Sequence, residues 1–299
     1  MEQNMEFTTG AELLARCRES GKPISAVMLE RELQKFGGTK YSVRKQMKES
    51  LDVMRQSVTR AQTEKLNLLG GYIGGESRAL SERIAKKGAM AGMISRAAAY
   101  AMGVIELNAS MGCIVAAPTA GSSGVIPGVL IAADDEYHFG DDALTAALFH
   151  AGAIGYLIDR NATLSGAEGG CQAEVGAASA MAASALCELL GGTPEMCLCA
   201  AGDAIANILG LVCDPIGGLV ESPCQKRNAM GVANAIISAE IALATGGKML
   251  VPFDEVVAAM FSVGRSIPYQ LRETALGGLA TAPSVKKARD ACESCGGCR

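Results

Sequence analysis

Apolar residues recur at three- and four-residue intervals through the first sixty positions. ISAVMLERELQKF (24–36) and YSVRKQMKESLDVMRQSVTRAQ (41–62) each carry one apolar and one charged face, the pattern of amphipathic surface helices. Thr9 and Glu12 have capping-box spacing ahead of ELLARCR, and GGTK at 37–40 is the loop between the next two helices. Beyond residue 140 the polar face disappears. DDALTAALFHAGAIGYLIDR, QAEVGAASAMAASALCELLGG, TPEMCLCAAGDAIANILGLVC and RNAMGVANAIISAEIALATGG read as buried helices, and Thr193–Pro194 supplies a cap and first-turn pair. Runs of β-branched residues with period-two alternation are nearly absent. The expected fold is all-α, with Gly/Ala-rich helices packed as one catalytic domain. Residues 1–60 are amphipathic helices of that domain, 61–283 its core and 284–299 a flexible Cys-rich tail. No internal repeat is visible, and the junctions near 247–255 and 281–285 read as turns inside the domain.

Charge divides the chain further. Residues 1–96 hold 17 of the 27 Lys and Arg, and between Arg96 and Lys226 the only basic residue is Arg160. A net charge of −4 gives no electrostatic reason to expect nucleic acid or an anionic membrane as partner. With 299 residues, 49 % of them hydrophobic, the chain can bury a sizeable core unaided. The 36 Gly and low aromatic content favour close helix packing over an aromatic-lined pocket. The uncharged window from Cys113 to Ala133 approaches the length of a membrane span. Its two prolines and Gly/Ser knot instead read as a loop between two apolar elements. No signal peptide is visible, so the 11 cysteines are expected as reduced thiols in the cytoplasm, with metal or redox roles.

Three cysteines stand in Gly- or Pro-rich settings: Cys171 in SGAEGGCQAEVG, Cys213 in LVCDPIGG and Cys224 in VESPCQKRN. Such settings place a thiolate at a turn or helix start, where backbone N–H groups favour negative charge. The residues alone leave ligation open beside the plainer role of small buried hydrophobes, since the spacings match no common zinc or ferredoxin pattern. Cys187, Cys197 and Cys199, inside Ala/Leu-rich helices, read as core. PTAGSSGVIPG (118–128) places Thr119, Ser122 and Ser123 in a turn that can cradle a carboxylate or phosphate, or simply join two helices.

MGCIVAAPTAGSSGVIPGVL, GAEGGCQAEVGAASAMAA and CDPIGGLVESPCQKRNAMGVANA resemble the alpha chain of iron–sulfur-dependent L-serine dehydratases, over about residues 60 to 282. The resemblance implies an ammonia-lyase that converts L-serine to pyruvate and ammonia. It implies a [4Fe–4S] cluster on Cys171, Cys213 and Cys224 with one iron open, a separate beta subunit and an oligomer. Thr119, Ser122 and Ser123 would hold the substrate carboxylate. Lys226 and Arg227 either add positive charge near it or form a solvated pair. For the general base the candidates are Glu168, His138 and His150, or a group from the partner chain. In the tail, Cys292, Cys295 and Cys298 have CxxCxxC spacing, and Cys298 or Cys295 is a possible fourth ligand or cap. By the resemblance, the family's single-chain relatives end at a cysteine, whereas here Arg299 follows Cys298. The alternatives are an iron–sulfur or pyridoxal-phosphate lyase acting on L-cysteine or another β-substituted amino acid, and a membrane carrier. Against pyridoxal phosphate stands the lack of lysine between Lys87 and Lys226.

Overall fold

The computed structural model describes residues 4–86 and 92–287. It is all-α, and among the described residues the only strand-like pairing is an isolated bridge between Cys213 and Arg272. Three helices open the chain: α1 (Gly10–Ser20), α2 (Ile24–Phe36) and α3 (Lys40–Thr63). Thr9 caps α1 by accepting from Glu12 N at 3.1 Å, while Glu12 reaches back to Thr8 N (2.6 Å). The box therefore closes one residue earlier than its spacing predicts. Thr39 and Ser42 form a reciprocal box at the start of α3. These helices pack onto the rest: α2 against α7 (Asp141–Asn161), and α3 against α5 (Gly92–Ala109) and α7. Arg31 of α2 is 2 % exposed, its guanidinium 4.0 Å above the Tyr156 ring.

The centre is α9 (Ala177–Leu189), buried from Ala177 to Cys187 and surrounded by α6 (Val125–Tyr137), α7, α10 (Pro194–Ala206) and α11 (Cys224–Thr245). Alanine and glycine at these positions let helix axes approach closely. At Gly124, the residue before α6, a Cβ would stand 2.2 Å from the Ala101 carbonyl oxygen of α5, so only glycine permits that crossing. The helix α12 (Phe253–Ser266) closes the end of the bundle beside α10.

Three sequence expectations change. The window 113–133 holds a loop, one 3₁₀ turn and the first nine residues of α6, so only its second apolar element is a helix. The helix expected to run to Cys213 stops at Ala206, and Gly210 at φ +86° turns the chain so that Cys213 is extended. The helix expected from Gln172 begins with a π-turn, Gln172–Gly176. Among the described residues, α11 alone is long and apolar enough to cross a membrane, and it packs between α5, α9 and α10 as a core helix does.

Glu106 on α5 is buried with its carboxylate accepting from Ser77 N (3.0 Å) and Gln225 Nε2 (2.7 Å). Burial pushes its carboxyl above the ordinary range, outweighing the hydrogen bonds to the charged form. A folded pKa above the unfolded value of about 4.3 means that Glu106 contributes stability fully present below that pH. This contribution is lost as pH rises through the folded value. Glu106→Gln should therefore flatten the decline of Tm on the alkaline side of pH 4 to 7. An unchanged slope in thermal melts across that range would show the carboxyl to be thermodynamically silent.

Candidate functional site

Cys171 follows the short helix α8 (Gly166–Gly169) and Gly170, whose φ of +74° turns the chain into the π-turn. Gln172 N donates to Leu211 O (3.0 Å), which draws the Cys171 segment against the extended stretch carrying Cys213. That stretch is held from its other side, since Cys213 N donates to Leu271 O (2.8 Å) and Glu273 N to Cys213 O (2.7 Å). Cys224 is the first residue of α11, after a cis Ser222–Pro223 bond, where the helix dipole favours a thiolate. All three cysteines are buried. Cys171 and Cys213 form, with Val175, a small apolar group separate from the main core.

The thiols converge. Contact with the Cys171 thiol pushes Cys213 up, ahead of burial, and burial followed by the nearby Cys171 raises Cys224 to about 12. Cys213 and Cys224 line a cavity of about 520 Å³ that also presents Thr119, Gly121, Glu168, Glu174 and Glu273. Arg227, one turn along α11, lies near Cys171 and Cys224, pairs with Asp214 at 2.8 Å and donates to Val212 O at 2.8 Å. Buried thiols are soft donors, and a bound cation would pull their pKa values down. Among the described residues no three His, Cys, Asp or Glu are arranged to hold a single metal ion. Three buried thiols gathered beside a cavity, with Arg227 at hand to offset their charge, are a soft donor set that a thiophilic group such as an iron–sulfur cluster could use.

Thr119 follows a cis Ala117–Pro118 bond and donates from Oγ1 to Glu174 Oε1 (2.7 Å). Glu174, on the π-turn, is 3.5 Å from the Cys213 sulfur at its other oxygen, and burial pushes its carboxyl up. Asn228 of α11 ties the loop to the cysteine. Its Oδ1 accepts from Gly124 N (3.0 Å), and its Nδ2 donates to Gly121 O (2.7 Å) and Cys224 O (2.9 Å).

The expected site residues divide. Thr119 lines the cavity, but Ser122 and Ser123 are buried, with their hydroxyls turned to Thr119 Oγ1 (3.1 Å) and Ala120 O (2.8 Å) within the loop. Lys226 is exposed, 3.7 Å from Glu76 and outside the cavity lining. Glu168 lines the cavity, accepting from Thr163 Oγ1 (2.7 Å). His138 is an exposed cap at the end of α6, and His150 is buried between Ser184 Oγ (2.7 Å) and Glu188 (2.9 Å), so neither lines the cavity. Cys187, Cys197 and Cys199 sit in the main core. Cys292, Cys295 and Cys298 lie outside the described residues. Sequence reasoning missed Glu174, Glu273 and Asn228 as site residues. Only Glu174 carried a signal, standing three positions after Cys171 in the same block.

The family model for the serine dehydratase alpha chain matches residues 19–280. The L-serine dehydratase alpha chain of Peptoniphilus asaccharolyticus is 46 % identical over 287 residues, covering 95 % of this chain and 97 % of that protein. The probable L-serine dehydratase alpha chain of Bacillus subtilis is 44 % identical, covering 94 % and 93 %. L-serine dehydratase 1 of Escherichia coli is 36 % identical over 92 % of this chain and 61 % of its own length.

Proposed function

The chain belongs to the serine dehydratase alpha chain family, and on that premise we propose that it converts L-serine to pyruvate and ammonia at a [4Fe–4S] cluster held by Cys171, Cys213 and Cys224. The observation that carries the cluster is three buried thiols gathered beside one cavity, Cys213 and Cys224 in its lining and Cys171 against Cys213. When bound, the cluster supplies a Lewis acid at its open corner for the departing hydroxyl, a poor leaving group by itself.

The chain's own residues do the rest. Thr119, its hydroxyl fixed by Glu174, and the side-chain-free Gly121 present the loop's polar edge to the substrate carboxylate. Arg227 adds positive charge behind the cysteines and offsets their thiolate charge. The α-proton and the β-hydroxyl leave together as water, and the resulting enamine tautomerises to an imine that water hydrolyses to pyruvate and ammonia. Of the three candidate bases, Glu168 is the one at the cavity, oriented by Thr163, and we assign it the α-proton. Among the described residues no lysine lines the cavity, which disfavours a pyridoxal-phosphate mechanism.

A second chain completes the enzyme on this reading, in keeping with the alpha-chain names of the relatives. Its expected seat is the N-terminal helices, where Phe36 and Tyr41 are exposed. The compartment is reducing and cytoplasmic, consistent with free thiols at all eight described cysteines.

Anaerobically prepared protein should turn over L-serine faster than L-threonine or L-cysteine, with pyruvate and ammonia in equal amounts. Air should inactivate it, and Fe²⁺ with thiol should restore it. Preference for L-cysteine would reassign the substrate, and activity that persists in air would remove the open iron.

A further inference from the structure

Glu273 stands in the left-handed region (φ +62°), followed two residues later by Ala275 (φ +55°). Neither is glycine, so the backbone here is strained, and such strain persists only where the surroundings impose it. The surroundings are the bridge to Cys213: Glu273 N donates to Cys213 O at 2.7 Å, directly beside a cavity cysteine. Only the backbone of Glu273 makes that bridge. Its carboxylate has no hydrogen-bond or ion-pair partner among the described residues and lines the cavity.

Across the cavity wall it meets Glu174. A Cβ on Gly166 would stand 2.5 Å from Glu174 Oε2 and 3.1 Å from Glu273 Oε2, so both carboxylates reach the same spot and glycine keeps it open. Asp159 and Glu168 line the same cavity, and among the described residues no Lys or Arg does. Two close carboxylates in a cavity without a lining cation favour a cationic guest. A zwitterionic amino acid brings one, its α-ammonium.

We propose that Glu273 is the specificity residue that recognises the α-ammonium of the substrate, its carboxylate being aimed into the cavity by the left-handed backbone beside Cys213. The inference rests on the L-serine reading and deepens it. The carboxylate end of the substrate goes to the Thr119 loop and the ammonium end to Glu273. Amino acids are thereby selected over hydroxy acids of the same length.

The test compares two non-reacting ligands on anaerobic holoenzyme by calorimetry. L-Alanine keeps the ammonium and lacks the leaving hydroxyl, while 3-hydroxypropionate keeps the hydroxyl and lacks the ammonium. Glu273→Gln should weaken L-alanine binding, and raise KM for L-serine, by about tenfold or more, the scale of a charged hydrogen bond. Binding of 3-hydroxypropionate should stay within about twofold, and kcat should change much less than KM. Glu273→Gly should show the same ligand pattern with a Tm no lower than that of the parent, because glycine tolerates positive φ. Equal weakening of both ligands, no weakening, or a clearly lower Tm for Glu273→Gly would overturn the assignment by making the side chain structural. If the parent enzyme turns over L-serine while Glu273→Gln behaves identically, only this inference falls. If the parent neither binds L-alanine nor turns over L-serine, the functional reading falls with it.

Discussion

Replacing Cys171, Cys213 or Cys224 with serine should each abolish the brown chromophore, reduce iron from about four per chain to near zero, and take activity to background. Serine is nearly isosteric, so packing survives while the donor changes from a soft thiolate to a hard alcohol that does not ionise near neutrality. Each cysteine arrives from a different segment, namely the turn after α8, the extended stretch at 213 and the start of α11. No neighbouring thiol among these segments can substitute for a lost one. Cys187→Ser is the internal control. Cys187 is fully buried in the main core, so its loss costs stability of about 1 kcal/mol without touching the cavity. Iron content and visible absorption of the four anaerobically purified variants decide the matter. Full iron in any of the three ligand variants removes that residue from the ligand set.

Asn228→Ala should be the most damaging substitution at a residue outside the cavity lining. Three hydrogen bonds disappear from a fully buried side chain, leaving Gly124 N, Gly121 O and Cys224 O to find new partners. At about 1–3 kcal/mol for each buried group left unsatisfied, with partial relaxation, a loss of about 3 kcal/mol is expected. Because the same amide holds the Thr119 loop against Cys224, kcat/KM should fall by about a hundredfold or more in the fraction that folds. Asn228→Asp is a sharper test. It keeps the acceptor for Gly124 N but turns an oxygen toward two carbonyl oxygens, so it should be no better than alanine despite its similar shape. Chemical denaturation and steady-state kinetics on both variants suffice. An aspartate variant close to the parent would show that the donor bonds are dispensable.

Much of the architecture was legible because helices write local signals. Three- and four-residue periodicity, the Thr9 cap and the Thr193–Pro194 pair lie within a turn of what they control. The cysteine triad was legible as three candidates, since Gly and Pro flank each one. What was not legible depends on contacts across long stretches of chain. Thr119 meets Glu174, Glu273 meets Cys213, and Asn228 meets Gly124, pairs that no periodicity reports. The direction of Ser122 and Ser123 was equally hidden, because a hydroxyl in a Gly-rich turn bonds its own loop as readily as a ligand. His150, a candidate base by sequence, lies on an apolar helix, and its pairing with Ser184 and Glu188 shows what satisfies it there.

The separation of the Cys171–Cys213 group from the main core has a consequence for how the enzyme is made. Helices α2, α5, α7, α9, α10 and α11 bury one another without calling on the cavity thiols, so the nascent chain has a finished scaffold before any inorganic part arrives. On the proposed cluster assignment, maturation is a delivery to a standing acceptor. In iron-starved cells the polypeptide should accumulate as soluble, protease-resistant apoprotein, and restored iron should activate that pool without new translation.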